Sequence, residues 1–161
     1  MKYGEFSVTK IVDAKSLEAL LESWQGKKIV FTNGCFDILH RGHIDYLGKA
    51  RDLGDKLFIG VNTDRSVSAL KGPSRPIQDE RSRMLILASL ACVDAVMLFD
   101  DATPYSLIKS VQPDVLVKGS DYDYREIIGY DIVTAKGGSV TTIEFLPGFS
   151  TSSIEEKIKK L

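Results

Sequence analysis

Short apolar segments alternate with helical patterns along this chain of 161 residues. Five apolar segments predict β-strands, over residues 27–33, 56–62, 94–99, 114–119 and 139–145. Between and around them, apolar residues at helical spacing predict helices over residues 16–25, 43–54, 79–91, 104–111, 124–136 and 150–161. The strand segments are apolar throughout, which is typical of sheets covered on both faces. This order predicts an α/β fold with a doubly wound, parallel, five-stranded sheet and helices on both faces.

The length fits a single domain with a real hydrophobic core. We divide the chain into an N-terminal helical extension (residues 1–26), an α/β core (27–149) and a C-terminal helix (150–161). Ser16 is a candidate N-cap of the first helix, and the hydroxyl residues before Glu155 are typical of a capped final helix.

Charge and composition argue against several classes of function. The formal net charge is −1, so the chain has no bulk attraction for nucleic acid or for an anionic membrane. No apolar run is long enough for a signal peptide or a transmembrane helix. The two cysteines, Cys35 and Cys92, lack metal-binding or redox spacing, and reduced thiols in a cytoplasmic protein are the simplest interpretation.

Polar residues and glycines follow the predicted strands at one edge of the sheet. Ligands of doubly wound proteins bind beyond the carboxyl ends of the strands, so this edge is the predicted site. The residues concerned are 33–43 after the first strand, Asn62 and Asp64 after the second, 118–121 after the fourth and 148–153 after the fifth. For Asn62 and Asp64, turn and capping roles are the first interpretation.

Both histidines of the chain lie in one segment of this edge, TNGCFDILHRGHIDYL (residues 32–47). His43 begins the predicted helix, whose free N–H groups and positive dipole end suit a phosphate. With His40, it adds hydrogen-bond donors for charge that builds up during phosphoryl transfer. A structural pair and half of a metal site are the alternatives. The chain has no third histidine, and Asp37 and Asp45 are the only acids nearby.

Several stretches together resemble the nucleotidylyltransferase superfamily with its H-x-G-H motif. They follow one another along nearly the whole chain: FDILHRGH, VNTD, LKGPSRP, DERSRMLIL, DVLVKGSDY and GFSTSSI. This ordered set is far more specific than H-x-G-H alone. The resemblance implies a Rossmann-like nucleotidylyltransferase fold.

Within the superfamily, the chain is most similar to adenylyltransferases that activate D-glycero-β-D-manno-heptose 1-phosphate. Glycerol-3-phosphate cytidylyltransferases are the nearest alternative. Members of that family carry an arginine shortly before the last motif and another at the end of the central helix, where this chain has Phe145 and Ala91. Those arginines grip phosphates, so both departures weaken the alternative. Another sugar-phosphate nucleotidylyltransferase, and a base other than adenine, stay open.

The resemblance implies that AMP is transferred from ATP to a sugar 1-phosphate, giving an ADP-sugar and pyrophosphate. The attacking phosphate oxygen is already largely ionised at neutral pH, so no general base is needed. Mg²⁺ is expected as the cofactor, together with ATP. The resemblance also implies a homodimer in the ADP-heptose pathway of lipopolysaccharide synthesis. A separate sugar kinase is expected, since 161 residues leave no room for a kinase domain. No nucleic-acid or membrane partner is expected.

The resemblance assigns site residues through their motif positions. Catalytic roles are predicted for His40, His43 and Lys71. Nucleotide contacts are predicted for both histidines and for Cys35, Phe36, Lys118, Gly119, Asp121, Ser150, Thr151 and Ser152. Substrate or phosphate contacts are predicted for Asp37, Arg75 and Arg83, and no residue is predicted to ligate a metal.

Plainer roles compete with several of these assignments. The ring of Phe36 can be ordinary core, and Arg83 can be an exposed helical charge. Lys71 and Arg75 can be solvated residues of a loop, and Asp121 can be a turn residue. Lys118 ends an apolar strand, where a charge needs a partner.

Two functions without catalysis are also compatible with the sequence. One is a nucleotide-binding module that senses ATP or an ADP-sugar, which the presence of both histidines disfavours. The other is a structural partner subunit of the sugar kinase, which the lack of a large apolar surface stripe mildly disfavours.

Overall fold

The computed structural model of the protein describes residues 5–120 and 125–161, with side chains from residue 7 onward. Its centre is a six-stranded sheet in which every neighbouring pair of strands is parallel. The strands are β1 (Ile11–Val12), β2 (Ile29–Gly34), β3 (Lys56–Asn62), β4 (Ala95–Phe99), β5 (Val115–Gly119) and β6 (Ser139–Ile143). Their order across the sheet is β1-β4-β3-β2-β5-β6.

Eight helices are described along the chain. They are α1 (Glu5–Val8), α2 (Leu17–Ser23), α3 (Arg41–Arg51), α4 (Asp64–Lys71), α5 (Glu80–Ala88), α6 (Tyr105–Val111), α7 (Tyr130–Ala135) and α8 (Thr151–Ile158). None of the described helices is long and apolar enough to span a membrane.

The hydrophobic core is divided by the sheet into two clusters. Leu57, Ile59 and Val61 of β3 lie in one cluster together with apolar residues of α3 and α5. Phe58, between them in sequence, lies in the other with residues of α2, α6 and α7. Successive side chains of a strand point to opposite faces, so a strand covered on both faces must be apolar throughout. The predicted doubly wound α/β architecture is confirmed.

The sheet has one strand more than predicted. The sixth is the two-residue strand β1, which pairs with β4 through Ile11 and Val96. It is too short to leave a periodic pattern in the sequence. The segment predicted as a helical extension therefore also adds an edge strand, and the division of the chain at residues 26 and 149 stays a prediction.

Helix α4 was missed, and two helices start at other residues than predicted: α3 begins at Arg41 rather than at His43, and α7 begins at Tyr130 rather than at residue 124. Ser16 makes no capping bond to α2; its backbone N–H is bonded instead to the Asp13 carboxylate. Helix α7 begins only after Gly129, because this residue has a φ of +94°, outside the helical region. Residues 121–124, at the start of that predicted helix, lie outside the described part.

The order of the strands reverses at β2. From β2 the chain passes through α3 to β3 on one side, while β5 lies on the other side and leads to β6. Connections that leave in opposite directions open a crevice at the carboxyl ends of the strands. The histidine segment and Lys118 therefore border the same crevice.

Candidate active site

The two histidines sit at the N-terminus of α3. His40 is the N-cap residue, with an extended backbone, and His43 lies in the first turn. The backbone N–H of His40 donates to Nδ1 of His43 at 3.4 Å, and the two ring centroids are 3.9 Å apart. This local bond fixes the His43 ring against the start of the helix.

Both imidazoles are poor bases in this position. Burial, the neighbouring His40 and the positive charge of Lys71 lower the pKa of His43 to about 4. Burial also lowers the pKa of His40, whose Nδ1 is buried without a hydrogen-bond partner among the described residues. At neutral pH His43 is therefore uncharged. Since its Nδ1 accepts a bond, its proton is on Nε2, which becomes a hydrogen-bond donor.

Gly42 allows the histidine pair to pack. A Cβ atom at this position would lie 3.0 Å from two atoms of the His40 ring and 3.2 Å from Cβ of Phe149. A side chain there would push His40 away from the helix start. The His40 ring thus lies against this glycine on one side and Phe149 on the other.

The loop between β2 and α3 turns sharply at Phe36. This residue has a φ of +50°, which is uncommon for a residue with a side chain. Its ring is 7% exposed and belongs to the core beside α3, with its centroid 5.5 Å from that of His43. The Phe36 ring is therefore part of the core, the plainer of its two predicted roles.

Asp37 is buried and holds a second loop. Its carboxylate accepts hydrogen bonds from the backbone N–H groups of Ile77 and Gln78, at 2.8 and 2.9 Å, and from Arg75 at 2.9 Å. Burial on its own would raise the pKa of Asp37, but these donors outweigh it and the net shift is downward. Asp37 thus joins the histidine loop to the segment after α4, an orienting role.

Arg83 is completely buried, so the exposed-charge interpretation is wrong. Its guanidinium donates to the backbone carbonyls of Gln78, Cys35 and Asn62 at 2.6–3.0 Å and to the carboxylate of Asp64 at 2.8 Å. A ligand does not reach this side chain in the arrangement described. Arg83 therefore supports the site from beneath by fixing the ends of β2 and β3.

Predicted residues from four elements converge on one pocket of about 390 Å³. It lies at the carboxyl ends of β2 and β5, and its lining includes Cys35, Phe36, Asp37, His43, Lys71, Lys118, Gly119 and Thr151. Lys71 is the last residue of α4 rather than a loop residue. Lys118 bonds the side-chain oxygen of Asn33 on the adjacent strand, which supplies the partner its position requires.

A second pocket of about 250 Å³ adjoins the first. It is lined by both histidines and Gly42, by Ser150 and Thr151 of the last motif, and by three aromatic residues, Tyr46, Phe145 and Phe149. His43, Tyr46, Phe145 and Thr151 border both pockets. The N-termini of α3 and α8 thus flank two neighbouring, partly aromatic pockets.

The hydroxyl residues of the last motif have different positions. Ser150 caps α8 by accepting from the backbone N–H of Ser153 at 3.1 Å, and Ser153 rather than Glu155 completes the reciprocal pair. Thr151 borders both pockets, whereas Ser152 is exposed and lines neither. Ordinary capping therefore accounts for Ser150, and Thr151 is the hydroxyl best placed for a ligand.

Two further predicted residues are not placed in the pocket. Arg75 bonds the carboxylates of Asp37 and Glu155 and borders neither of the two pockets. Asp121 lies outside the described residues. Within residues 5–120 and 125–161, no group of three or more His, Cys, Asp or Glu side chains could hold a metal ion.

Sequence reasoning missed the supporting residues Tyr46 and Glu155, and it placed Asn33 at the ligand-binding edge without assigning it a role. Tyr46 packs against Phe145, with ring centroids 6.0 Å apart, and its hydroxyl bonds Thr32 across 2.8 Å. An apolar position on a helix gives no sign that it borders a cavity. The available signal for Asn33 was its position: it is a polar residue at the end of an apolar strand, directly before the histidine loop.

A sequence profile of the family described as cytidylyltransferase-like matches residues 31–157, which is most of the chain. The chain belongs to the cytidylyltransferase-like family. The matched range begins in β2 and ends in α8, so it includes both helix N-termini and the pocket between them. The predicted superfamily and enzyme class, a nucleotidyltransferase, are confirmed.

Relatives of the chain include proteins named bifunctional protein HldE. That of Methylobacillus flagellatus is 53% identical over 151 residues, which cover 92% of this chain and 31% of the relative. That of Wolinella succinogenes is 49% identical over 155 residues, covering 95% of this chain and 32% of the relative. The chain thus spans about a third of the length of these curated relatives.

Two solved structures are similar to this fold. The lipopolysaccharide core biosynthesis protein from Thermoplasma volcanium is 32% identical, with a TM-score of 0.61, over 75% of this chain and 98% of that one. Pantoate-beta-alanine ligase from Francisella tularensis also has a TM-score of 0.61, at 17% identity, over 94% of this chain and 78% of that one. The second likeness concerns the fold alone.

Proposed function

We propose that this protein transfers AMP from ATP to D-glycero-β-D-manno-heptose 1-phosphate, forming ADP-heptose and pyrophosphate. The observation that carries the proposal is the convergence of His43, Lys71, Lys118 and Thr151 on one pocket at the carboxyl ends of β2 and β5. Donors and cations from four elements suit a polyphosphate. The heptose substrate is supported by the sequences of the motifs. It is also supported by the naming of one similar structure as a lipopolysaccharide core biosynthesis protein.

The chemistry requires alignment and charge stabilisation rather than proton removal. An ionised phosphate oxygen of the sugar 1-phosphate attacks the α-phosphorus of ATP, and the bond from that phosphorus to the bridging oxygen breaks. Pyrophosphate leaves with the electron pair of that bond. The Nε2–H group of neutral His43 and the N-terminus of α3 would stabilise charge on the transferring phosphoryl group. Lys71, in the lining of the same pocket, would attract the anionic substrates.

Magnesium enters the proposal as part of the nucleotide substrate. The described residues offer no cluster of acids to hold it, and the Asp37 carboxylate is already engaged by three donors. The triphosphate and water would therefore supply its ligands, as is common for Mg²⁺. The ion would neutralise charge on the departing pyrophosphate.

The residue at position 145 argues against CTP with glycerol 3-phosphate as the substrate pair. Phe145 occupies the position at which the cytidylyltransferases carry an arginine, and it borders both pockets. This position therefore has no arginine to bind a phosphate. It has an exposed aromatic ring instead, which can stack on a nucleotide base. Cytoplasmic location, homodimerisation and a kinase that supplies the sugar 1-phosphate belong to the same proposal.

The test is release of pyrophosphate by the purified protein with Mg²⁺. ATP, CTP and GTP are each combined with heptose 1-phosphate and with glycerol 3-phosphate, and the His43→Ala variant serves as control. We expect release with ATP and heptose 1-phosphate, reduced about 10²–10³-fold in the variant because a transition-state donor is lost.

The other outcomes are informative. Release only with CTP and glycerol 3-phosphate would move the protein to the cytidylyltransferase alternative. Nucleotide binding with no release in any pairing would favour another sugar phosphate or a sensor, and a wider panel of sugar phosphates would separate these two.

A further inference from the structure

Arg75 is held between two carboxylates that belong to different parts of the chain. One nitrogen of its guanidinium lies 2.9 Å from the carboxylate of Asp37, which is only 2% exposed, and another bonds Glu155 on α8. Arg75 itself is 18% exposed and Glu155 is 23% exposed. Partial burial makes such charge-assisted bonds stronger than surface ion pairs. We name these three residues the Arg75 clamp.

The clamp connects three of the segments that surround the site. Asp37 follows β2 in the histidine loop, Arg75 follows α4, and Glu155 is in α8. Asp37 also accepts the two backbone N–H groups of Ile77 and Gln78, so its own position is fixed. Glu155 is the member of the clamp that connects this network to α8.

Helix α8 has few other attachments. None of its residues is buried, although its first residue, Thr151, borders both pockets. An amphipathic helix is normally held by its buried apolar face. The position of the α8 N-terminus relative to α3 therefore depends on polar contacts and on Phe149, which lies beside Gly42 and against the guanidinium of Arg41. Among the polar contacts, the ion pair with Arg75 is partly shielded from water.

We propose that Glu155 is a positioning residue for the nucleotide, acting through Arg75 to hold the N-terminus of α8 at the distance from α3 that a triphosphate spans. This inference rests on the proposed function. It makes Arg75 the centre of a clamp and not a phosphate ligand, in keeping with its place outside the two pockets. Glu155 does not touch the reacting atoms.

A phosphate-binding role for Arg75 predicts the opposite change in ATP binding when Glu155 is replaced. If Arg75 bound phosphate and Glu155 merely competed for it, removal of the Glu155 charge would free the guanidinium and tighten substrate binding. Under the clamp, the same change loosens α8 and weakens ATP binding. The sign of the change in the KM for ATP separates the two.

The experiment compares Glu155→Gln with Glu156→Gln, a neighbouring exposed glutamate on the same helix. For Glu155→Gln we expect the KM for ATP to rise about tenfold, as for loss of one charge-assisted contact. The kcat and the KM for heptose 1-phosphate should stay within about twofold, since the groups at the reacting phosphorus are unchanged. Glu156→Gln should match the wild type in all three constants.

A double-mutant cycle tests whether Glu155 acts through Arg75. The Glu155→Gln change should have little further effect on the KM for ATP in an Arg75→Gln background. Thermal unfolding of each variant identifies any that fails to fold, and Glu155→Asp, which keeps the charge, should recover part of the ATP affinity.

Two results would overturn the inference. One is a KM for ATP that is unchanged or lower in Glu155→Gln, and the other is an equal effect of Glu155→Gln with and without Arg75. Absence of turnover and of ATP binding in the wild-type protein would instead remove the proposed function, and the inference with it. Turnover by the wild type with no effect of the variant rejects the inference alone.

Discussion

At the scale of single residues, the proposed reaction uses His43 in its neutral form. An imidazole with a pKa of about 4 is uncharged over the whole physiological range. Its Nδ1 is occupied by the His40 backbone, so Nε2–H is the group offered to a ligand. A neutral donor stabilises charge that develops in the transition state without binding every anion strongly in the ground state.

The lowered pKa of His43 predicts a loss of stability in mild acid. The unfolded chain has the ordinary pKa of 6.5, so between about pH 6.5 and about pH 4 it binds more protons than the folded protein. The free energy of unfolding must then fall as the pH drops through this window. Urea unfolding at pH 7.0 and 4.5 measures the fall, which we expect to be smaller in His43→Gln.

The comparison isolates His43 from other groups. His40, whose pKa is also lowered, contributes in the same direction in both proteins. Parallel curves for the wild type and His43→Gln would show that His43 titrates normally in the folded state.

Arg83 predicts a large effect of a single substitution. Its buried guanidinium satisfies three backbone carbonyls and the carboxylate of Asp64. Replacement by glutamine leaves carbonyls without donors, and we expect it to lower the free energy of unfolding by about 3 kcal/mol. Arg81→Gln, at an exposed position of the same helix, should change it by less than about 0.5 kcal/mol. Similar denaturant midpoints for the two variants would contradict this account.

At the scale of elements, the site is made by the N-termini of α3 and α8. The first is fixed to the core by Leu47 and Ala50, which are completely buried, whereas the second has no buried residue. A polyphosphate between them would face two sets of free N–H groups. The wall formed by α3 is therefore anchored in the core, whereas the wall formed by α8 is held by partly buried contacts.

Two glycines of α3 provide a matched test of the rigid wall. Alanine at Gly42 would place Cβ 3.0 Å from the His40 ring, whereas alanine at Gly48 would meet nothing within 4 Å. We expect Gly42→Ala to lower kcat at least about tenfold, because the displaced ring disturbs the histidine pair. Gly48→Ala should keep full activity and gain up to about 1 kcal/mol of stability. Pyrophosphate release and denaturant unfolding measure the two quantities, and equal activities of the two variants would reject the packing role of Gly42.

Much of this element pattern was predictable from the sequence. β3 has the predicted limits, and β4 and β5 begin one residue later, because buried strands of a parallel sheet are continuously apolar. Helix α4 was missed, since its sequence DRSVSALK is short and mostly polar. β1 gives no signal because two residues have no period.

Placement of the site residues was only partly predictable. Motif order indicated that His43, Lys71, Lys118 and Thr151 belong to one site, and the structure brings them to one pocket. The burial of Arg83 was not predictable, since ERSRM has the composition of an exposed helix. The pairing of Arg75 with Glu155 joins residues 80 positions apart, which local patterns do not record.

At the scale of the whole molecule, the sheet order decides where a ligand can bind. β2 is the strand at which the order of the strands reverses, and the segment that follows it carries the histidines. A ligand in the adjacent cavity would contact α3, α4, β5 and α8 together. Binding should thus stabilise the whole fold rather than one segment.

We predict that nucleotide binding raises the melting temperature of the protein. Ligand at about 100 times its dissociation constant adds about 2.7 kcal/mol of stability. For a chain of this size we expect a shift of about 5–10 °C with MgATP. Differential scanning fluorimetry measures the shift, with adenosine as the control that lacks phosphates. An equal shift with adenosine would mean that the phosphates contribute nothing to binding.

The lack of buried residues in α8 also bears on shortened forms of the protein. Every strand of the sheet precedes this helix in the sequence, and both hydrophobic clusters are complete without it. A polypeptide that ends before Gly148 would keep the residues of both clusters, yet it would lack one wall of its cavity. Abundance of such a product in a cell would give no measure of its activity.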